Sequence, residues 1–245
     1  MTSGSRPMAT VARAVAVLRT LAEAPSDLGT NEIARRTRLS PSTVSRLLAT
    51  LATDELVSRM PDSGRFRLGP RLVELGNAAL ARVDMRELCH PHLRALTEAT
   101  GETSTLSVPY EQGTITVDFV QSPSSVRSVA QVGRPSVAHA TATGKVFLAY
   151  AGALPSGPLP AYTSRTITDV ALLAAEVETI RKRGWAQAVR ERDEDQNAVA
   201  APIHRDGAGL TAVLGLQGPA GRFGSKAMRA GVDRLLAHCA ELSRT

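Results

Sequence analysis

Residues 40–46 place several hydroxyl groups and one guanidinium on a short stretch of chain. Ser40 followed by Pro41 predicts a helix start, because serine is a good N-cap and the fixed φ of proline suits the first helical position. Four apolar residues recur at helical spacing and should pack inward: Val44, Leu47, Leu48 and Leu51. The outward residues are then small, hydroxylic or positive: Ser42, Thr43, Ser45, Arg46 and Ala49.

This outward stripe has the chemistry needed to enter the major groove of duplex DNA. A groove-binding helix needs short polar side chains near its start and cations that reach phosphates or guanine edges. The first turn, with Ser42 and Thr43, also favours phosphate through its backbone N–H groups and the helix dipole. We expect DNA contacts from this turn and the next: Ser40, Ser42, Thr43, Ser45 and Arg46.

Arginines on either side of that helix suit phosphates, which position a protein on DNA without specifying a sequence. They are Arg35, Arg36 and Arg38 before the helix, and Arg59, Arg65 and Arg67 after it. The same pattern would also fit a three-helix core with a solvated arginine face that binds no DNA.

Metal and phosphate-loop motifs are weaker. Cys89, His90 and His92 lie within four residues, but Cys89 and His90 point to different faces of a helix and no partner cluster is evident. Residues 141–145 are similar to a phosphate loop, yet His139 stands at the required first glycine and Val146 at the Mg²⁺-binding hydroxyl. We therefore expect no metal, no cofactor and no nucleotide hydrolysis.

A catalytic triad has little support in this sequence. His139, Asp118 and several serines could form one in principle, but the chain has no Gly-x-Ser-x-Gly elbow. From the residues alone, His139 is better explained as a hydrogen-bonded core histidine, and Trp185 as a core residue. We therefore expect a protein that is not an enzyme.

Basic residues are concentrated in the first third of the chain. Residues 1–82 carry 12 arginines against 7 acidic residues, a net charge of +5, whereas residues 83–245 carry 17 basic and 16 acidic residues. Such asymmetry is typical of a nucleic-acid-binding module joined to a near-neutral domain. The hydrophobic fraction of 43% and the charged fraction of 21% exclude extensive disorder.

Length, cysteine content and hydropathy narrow the class further. A chain of 245 residues fits two small domains at roughly 100–200 residues each. Its two cysteines, Cys89 and Cys239, exclude a disulfide framework. No apolar run approaches the ~18–20 residues of a membrane-spanning helix, and the first residues lack a secretory signal, so we expect a cytoplasmic protein with no membrane partner.

Local patterns predict the elements that position the polar helix. Helices are expected over residues 11–24 and 31–37, the first with an apolar stripe of Val11, Val15, Leu18, Leu21 and Ala22. Extended runs at 57–60 and 65–68 flank a Pro-Asp-Ser-Gly turn, which predicts a β-hairpin with outward arginines.

Beyond Gly101 the pattern changes from helical period to alternation. Strands are predicted over residues 103–110, 114–121, 125–132, 198–204 and 209–218, and helices over 143–151, 169–183 and 225–243. Strands joined largely through hairpins favour an α+β fold with an antiparallel sheet flanked by helices.

Ordered motifs along almost the whole chain resemble the IclR family of bacterial transcription regulators. In the first third they are Arg13-Ala14-Val15, Glu32-Ile33-Ala34, Ser42-Thr43-Val44, Arg46-Leu47-Leu48 and Arg67-Leu68-Gly69. Later motifs include Thr100-Gly101-Glu102-Thr103, His139-Ala140-Thr141-Ala142, Gly144-Lys145, Arg183-Gly184-Trp185-Ala186 and Ala200-Ala201-Pro202-Ile203. The family commonly has lysine and histidine where this chain has Pro41 and Ser45.

The resemblance implies a domain plan and a set of partners. It implies a winged helix-turn-helix DNA-binding domain over residues 8–69, a linker helix over 70–84, and a GAF-like effector-binding and oligomerisation domain over 85–245. The implied partners are double-stranded DNA with a palindromic operator, a small organic effector, and further copies of the chain as a dimer or a dimer of dimers.

The resemblance also implies an effector pocket between the sheet and residues 142–144. The candidate effector-binding residues are His139, Ala142, Thr143, Gly144, Ala188, Ala198, Gly215 and Gln217. The family pattern has acidic residues at positions 188 and 190, cysteine at 198, and serines at 215 and 217, all absent here. Because buried carboxylates need paired donors, we expect a larger and more apolar effector.

Two other functions remain open from the sequence. A DNA-binding regulator with a degenerate, ligand-free pocket fits the loss of polar groups at Ala188, Ala198 and Gly215. A small-molecule enzyme or sensor, whose amino-terminal helices serve protein association, is the alternative from a different class.

Overall fold

A computed structural model describes residues 8–81, 85–205 and 209–244 of the chain. The chain divides into two units, Met1–Arg82 and Val83–Thr245, called unit 1 and unit 2 below. The end of the predicted linker helix, residues 82–84, lies outside the described residues, so the predicted domain boundary there stays a prediction.

Unit 1 is helical with one β-hairpin. Its elements are α1 (Ala9–Ala22), α2 (Thr30–Thr37), α3 (Pro41–Thr53), β1 (Val57–Arg59), β2 (Phe66–Leu68) and α4 (Arg71–Ala81). The antiparallel hairpin pairs Ser58 with Arg67, as the turn signal predicted. An isolated bridge between Leu28 and Phe66 attaches the hairpin to the segment before α2.

The core of unit 1 forms where α1, α2, α3 and β1 meet. Its buried side chains are Val17, Leu21, Leu28, Ile33, Ala34, Val44, Leu48, Leu51 and Val57. The predicted apolar stripe of α1 is wrong at Val11 and Val15, which are 56% and 44% exposed. Val17 is buried in their place, because the helix turns its Ala14–Val17–Leu21 side toward α2 and α3.

Unit 2 is built around an antiparallel sheet. Its elements are α5 (Met85–Thr100), β3 (Thr103–Tyr110), β4 (Gly113–Val120), α6 (Ala142–Tyr150), α7 (Val170–Arg183), β5 (Ala186–Val189), β6 (Gln196–His204), β7 (Leu210–Pro219) and α8 (Ser225–Leu242). The strand order is β4-β3-β7-β6-β5, and every pairing is antiparallel. The predicted α+β class is confirmed.

Helices cover both faces of this sheet. Successive residues of a strand point to opposite faces, so neighbouring positions of β7 show the two layers. A Cβ built at Gly215 would lie 3.4 Å from Thr143 of α6, whereas Leu216 packs against Gly231 of α8. Helices α6 and α7 therefore lie over one face, and α5 and α8 lie over the other.

The predicted strand over residues 125–132 is wrong, since this described segment is irregular. Val126 and Val129 are 69% and 61% exposed. Side chains satisfy its backbone instead, because Gln121 Nε2 donates to the carbonyl oxygen of Ser128 at 2.6 Å and Thr103 Oγ1 donates to the same oxygen at 2.9 Å. Strand β5 was not predicted.

Within the described residues, no helix combines the length and the hydropathy needed to cross a lipid bilayer.

Gly69, directly after β2, allows a close approach of two backbone segments. Its N–H donates to the carbonyl of Leu56 at 2.9 Å. A Cβ at this position would collide with the Glu55 carbonyl and lie 2.9 Å from the Val57 nitrogen. Glu55 itself has a φ of +55°, so the segment facing Gly69 has little freedom to move.

We expect Gly69→Ala to destabilise unit 1 by about 1–3 kcal/mol, because the backbone must shift to admit the methyl group. Gly76→Ala is the matched control: this residue lies in α4 with open space around it, and the change should stabilise the helix by roughly 0.5–1 kcal/mol. Calorimetry of the full chain measures both variants. An unchanged unfolding transition in Gly69→Ala would contradict the close approach.

Candidate functional site

Helix α3 begins with the cap that the sequence predicted. The Ser40 hydroxyl accepts a hydrogen bond from the Thr43 backbone N–H at 3.3 Å, and Pro41 occupies the first helical position. Val44, Leu48 and Leu51 are buried in the unit 1 core, and Leu47 packs partly against it. This burial fixes the rotation of the helix about its axis.

The opposite side of α3 is a polar stripe, defined by Ser40, Ser42, Thr43, Ser45 and Arg46. All are exposed except Thr43, which is half-buried. The Ser40 hydroxyl lies 2.8 Å from Thr43 Oγ1 and 3.1 Å from Ser42 Oγ, so the first turn carries a connected hydroxyl cluster. Such a cluster beside free helix N–H groups can bind phosphate oxygens or base edges.

The predicted arginines in and directly after α2 differ in exposure and in pairing. Arg35 and Arg38 are exposed, and Arg38 ends the helix in the left-handed conformation with a φ of +57°. Arg36 pairs with Glu32 one turn earlier at 2.9 Å. An exposed pair of this kind contributes little to stability and can exchange for a phosphate.

The hairpin arginines also divide into two kinds. Arg59 and Arg67 are exposed on β1 and β2. Arg65 differs, since its Nη2 binds Glu32 at 2.8 Å and its Nε donates to the Asp27 carbonyl at 2.7 Å. This side chain therefore ties the hairpin to the α2 region, and the predicted phosphate contact at Arg65 stays a prediction.

Unit 2 contains a cavity of about 140 Å³ between the sheet and the start of α6. Six of the predicted effector residues line it: Ala142, Thr143, Ala188, Ala198, Gly215 and Gln217. Four of the six are alanine or glycine, and a Cβ at Gly215 would lie 2.7 Å from Thr105 Oγ1, so a side chain there would crowd this wall.

His139 and Gly144 do not line the cavity. His139 is 4% exposed, and its Nε2 lies 3.0 Å from the Pro160 carbonyl oxygen. A Cβ at Gly144 would lie 2.6 Å from the Cα of Ala138, so this glycine lets α6 pack closely on the preceding loop. Both residues pack next to the segment that lines the cavity and help to hold it in place.

Sequence reasoning missed most of the polar lining. Thr105 and Ser107 of β3 and Thr116 of β4 line the cavity, as do Arg134 and Arg192, and the Arg192 guanidinium lies 4.0 Å over the Tyr162 ring. The alternating hydroxyls of β3 were a usable signal, since a buried strand rarely carries so many without a partner to satisfy. The two arginines come from loops and gave no local signal. Donors are therefore present for a polar ligand, whereas the sequence predicted a larger and more apolar effector.

A buried ion pair joins two walls of the cavity. Lys145 Nζ, on α6, donates to both carboxylate oxygens of Glu191 at 2.8 and 2.9 Å, and the two residues are 1% and 7% exposed. Burial raises the pKa of Glu191, and the Lys145 ammonium opposes that rise. This pair occupies Lys145, so the phosphate-loop likeness of residues 141–145 has no free lysine.

The other motifs considered for chemistry separate in the structure. Cys89 is buried, and burial raises the pKa of its thiol to about 12. His90 Nδ1 lies 2.8 Å from the carboxylate of Asp118, whereas His92 meets His238 of α8. Cys89, His90 and His92 therefore have three different surroundings. The Asp118 carboxylate binds His90, and the His139 ring binds the Pro160 carbonyl. Asp118 and His139 are therefore not hydrogen-bonded to each other, as a catalytic triad would require.

Trp185 is half-buried. The Arg183 guanidinium lies over its ring at 4.0 Å, and Arg183 Nε donates to the Trp185 carbonyl. Its stacking partner is thus a side chain of the protein.

Comparison with known families assigns both units. The IclR helix-turn-helix domain matches residues 10–61, and the bacterial transcriptional regulator IclR C-terminal domain matches residues 77–244. A glycerol operon regulatory protein of Streptomyces griseus is 32% identical over 223 residues, covering 89% of this chain and 88% of its own.

Two solved structures extend the comparison to the fold. An IclR transcriptional regulator from Alicyclobacillus acidocaldarius has a TM-score of 0.85 at 27% identity, covering 98% of this chain and 99% of its own. An IclR homologue from Microbacterium hydrocarbonoxydans, solved in complex with 4-hydroxybenzoate, has a TM-score of 0.82 at 25% identity, covering 96% of this chain and 98% of its own.

We expect Glu191→Gln to destabilise unit 2 by about 3–5 kcal/mol, because it leaves a buried ammonium without its counter-ion. The fluorescence of Trp185, the single tryptophan, follows unit 2 during urea unfolding. Glu98→Gln is the control, since Glu98 forms an exposed pair with Arg94 in the same unit and should have little effect. Equal losses of unfolding free energy in the two variants would contradict a stabilising role of the buried pair.

Proposed function

The chain belongs to the IclR family of bacterial transcriptional regulators, and from this premise we propose how it reads DNA and what it senses. It is a DNA-binding transcription regulator with an effector-binding domain. The observation that supports the assignment of roles best is the polar stripe on α3, held outward by burial of the opposite side of the helix.

The polar stripe enters the major groove and reads the operator. Arg46 reaches a base edge, and the hydroxyls of Ser42, Thr43 and Ser45 contact bases or phosphates near the helix start, with Ser40 as cap. Arg35, Arg36, Arg38, Arg59 and Arg67 bind phosphates and set the register. We propose the same role for Arg65, whose bonds to Glu32 and Asp27 also position the hairpin beside α2.

Unit 1 also exposes apolar side chains, whose burial against a partner would be favourable. Met8, Val11 and Val15 on and before α1 are 74%, 56% and 44% exposed, and Val73 and Leu75 of α4 are 65% and 54% exposed. A second copy of the chain is the cover that also matches a palindromic operator, because a two-fold protein presents two identical reading helices. The regulator therefore works as a homodimer or a dimer of dimers in the cytoplasm.

The cavity of unit 2 binds a small organic acid with a single ring. Its volume of about 140 Å³ is close to the roughly 150 Å³ that holds benzene in an engineered protein cavity. Arg134 and Arg192 supply cations for a carboxylate, and the hydroxyls of β3 supply partners for a phenol or hydroxyl. The homologue solved with 4-hydroxybenzoate supports this ligand class.

Ligand binding changes transcription by changing the populations of the chain's conformational states. An effector shifts the balance between operator-binding and non-binding states only by its differential affinity for the two. Neither role requires the chain to catalyse a reaction.

We expect Arg46→Ala to weaken binding to the operator by about 1–3 kcal/mol while leaving binding to unrelated duplexes nearly unchanged. Arg67→Ala should weaken all sequences similarly and reduce the salt dependence by about one counter-ion. Fluorescence anisotropy measures both, with a duplex that the protein itself selects from a random library.

Arg94→Ala, an exposed arginine of α5, is the control and should retain full affinity. Unchanged operator affinity in Arg46→Ala would remove that residue from the interface. Affinity of the parent chain that barely falls with salt would contradict several phosphate contacts and favour protein association as the role of unit 1.

We expect 4-hydroxybenzoate, used as a probe of the ligand class, to raise the unfolding temperature of the chain, because a ligand that binds only the folded state stabilises it. Ala198→Leu should abolish the rise by filling the cavity, whereas Ala237→Leu on the exposed side of α8 should retain it. A differential scanning fluorimetry screen of ring-sized acids in which nothing shifts the parent chain would support the ligand-free alternative.

A further inference from the structure

Two histidines meet between helices α5 and α8, on the face of the sheet opposite the cavity. His92 Nδ1 lies 2.8 Å from His238 Nδ1, and the two half-buried rings are nearly perpendicular, at 88°. The residues are 146 positions apart in sequence. A contact this short between two nitrogens needs a shared proton, or a cation, between them.

A carboxylate completes the cluster. Glu241 follows His238 by three residues on α8, and residues at this spacing share one face of a helix. The three candidate donor atoms, one from each side chain, all lie within 4.8 Å of one another. Two imidazoles and one carboxylate form the donor set of many zinc sites with an open fourth position.

The geometry needs only a small adjustment. Zinc–nitrogen bonds of about 2.0–2.1 Å in a tetrahedron place two nitrogens about 3.3 Å apart, so the histidines must separate by about half an ångström. Both side chains are half-buried at a helix surface, where rotation about χ1 and χ2 supplies this movement.

We propose that His92, His238 and Glu241 bind one divalent transition metal ion, with zinc as the best fit, and that the ion joins α5 to α8. Water occupies the fourth position. The ion would link two helices that cover one face of the unit 2 sheet. Its sequence signal was incomplete: the motif at residues 89–92 contributes a single ligand, and the other two come from the last helix.

Titration of the untagged, EDTA-treated full chain with Co²⁺ tests the site, since tetrahedral cobalt absorbs visible light strongly and zinc should displace it. We expect one ion per chain and a zinc-dependent rise in unfolding temperature. His92→Asn, His238→Asn and Glu241→Gln should each weaken binding at least about tenfold. His204→Asn, which alters a histidine of β6 outside the cluster, should bind as the parent does.

Glu241→Gln keeps the test decisive if a histidine variant fails to fold, because Glu241 is exposed. Circular dichroism of each metal-free variant identifies any loss of folding. Absence of the cobalt absorption in the folded parent chain, or parental binding in folded His238→Asn and Glu241→Gln, would show that the histidines only share a proton and would overturn the site.

Discussion

The rotation of α3 about its own axis is the constraint on which the DNA-reading surface depends. Val44, Leu48 and Leu51 lie on one side of the helix, and their burial against α1 and α2 leaves a single orientation for the other side. Since the helical period fixes the angle between successive side chains, the positions of Ser42, Ser45 and Arg46 follow from those of the buried residues. The Ser40 cap fixes the start of the helix and therefore the position of the polar stripe along the helix axis.

A comparable constraint shapes the cavity of unit 2. Small residues at Gly215, Ala198 and Ala188 keep the sheet face open beneath α6, and Gly144 allows the helix to approach its supporting loop. The Lys145–Glu191 pair then connects α6 to the loop that carries Arg192. Buried pairs are costly unless both partners are well bonded, and here the carboxylate accepts two bonds from the Lys145 ammonium and a third from the Val189 N–H at 3.3 Å. The segments that carry the polar lining are thus held in place by this buried pair.

The sequence predicted most elements because their signals are local. Caps, breakers and periodicity placed α2, α3, the β1–β2 hairpin, α7 and α8 within a few residues of their observed ends. Failures occurred where tertiary contacts decide. The four residues of β5 pair with β6 at the sheet edge. Val126 and Val129 remain exposed, and the Ser128 carbonyl between them is satisfied by the side chains of Thr103 and Gln121 instead of by a neighbouring strand. Arg134, Arg192 and the partners of Arg65 come together from distant positions, which spacing in sequence does not report.

A chelated iron attached at position 45 tests the central claim most directly. Cys89 and Cys239 are both buried, and burial raises the pKa of each thiol, so an introduced Ser45→Cys is the thiol that an iron–EDTA reagent modifies. With Fe–EDTA at this position, the account predicts cleavage of the bound operator at the major groove of each half-site, and none when the same reagent is carried by Ala237→Cys. A labelled Ser45→Cys chain that binds the operator tightly and leaves it uncut would contradict the insertion of α3 into DNA.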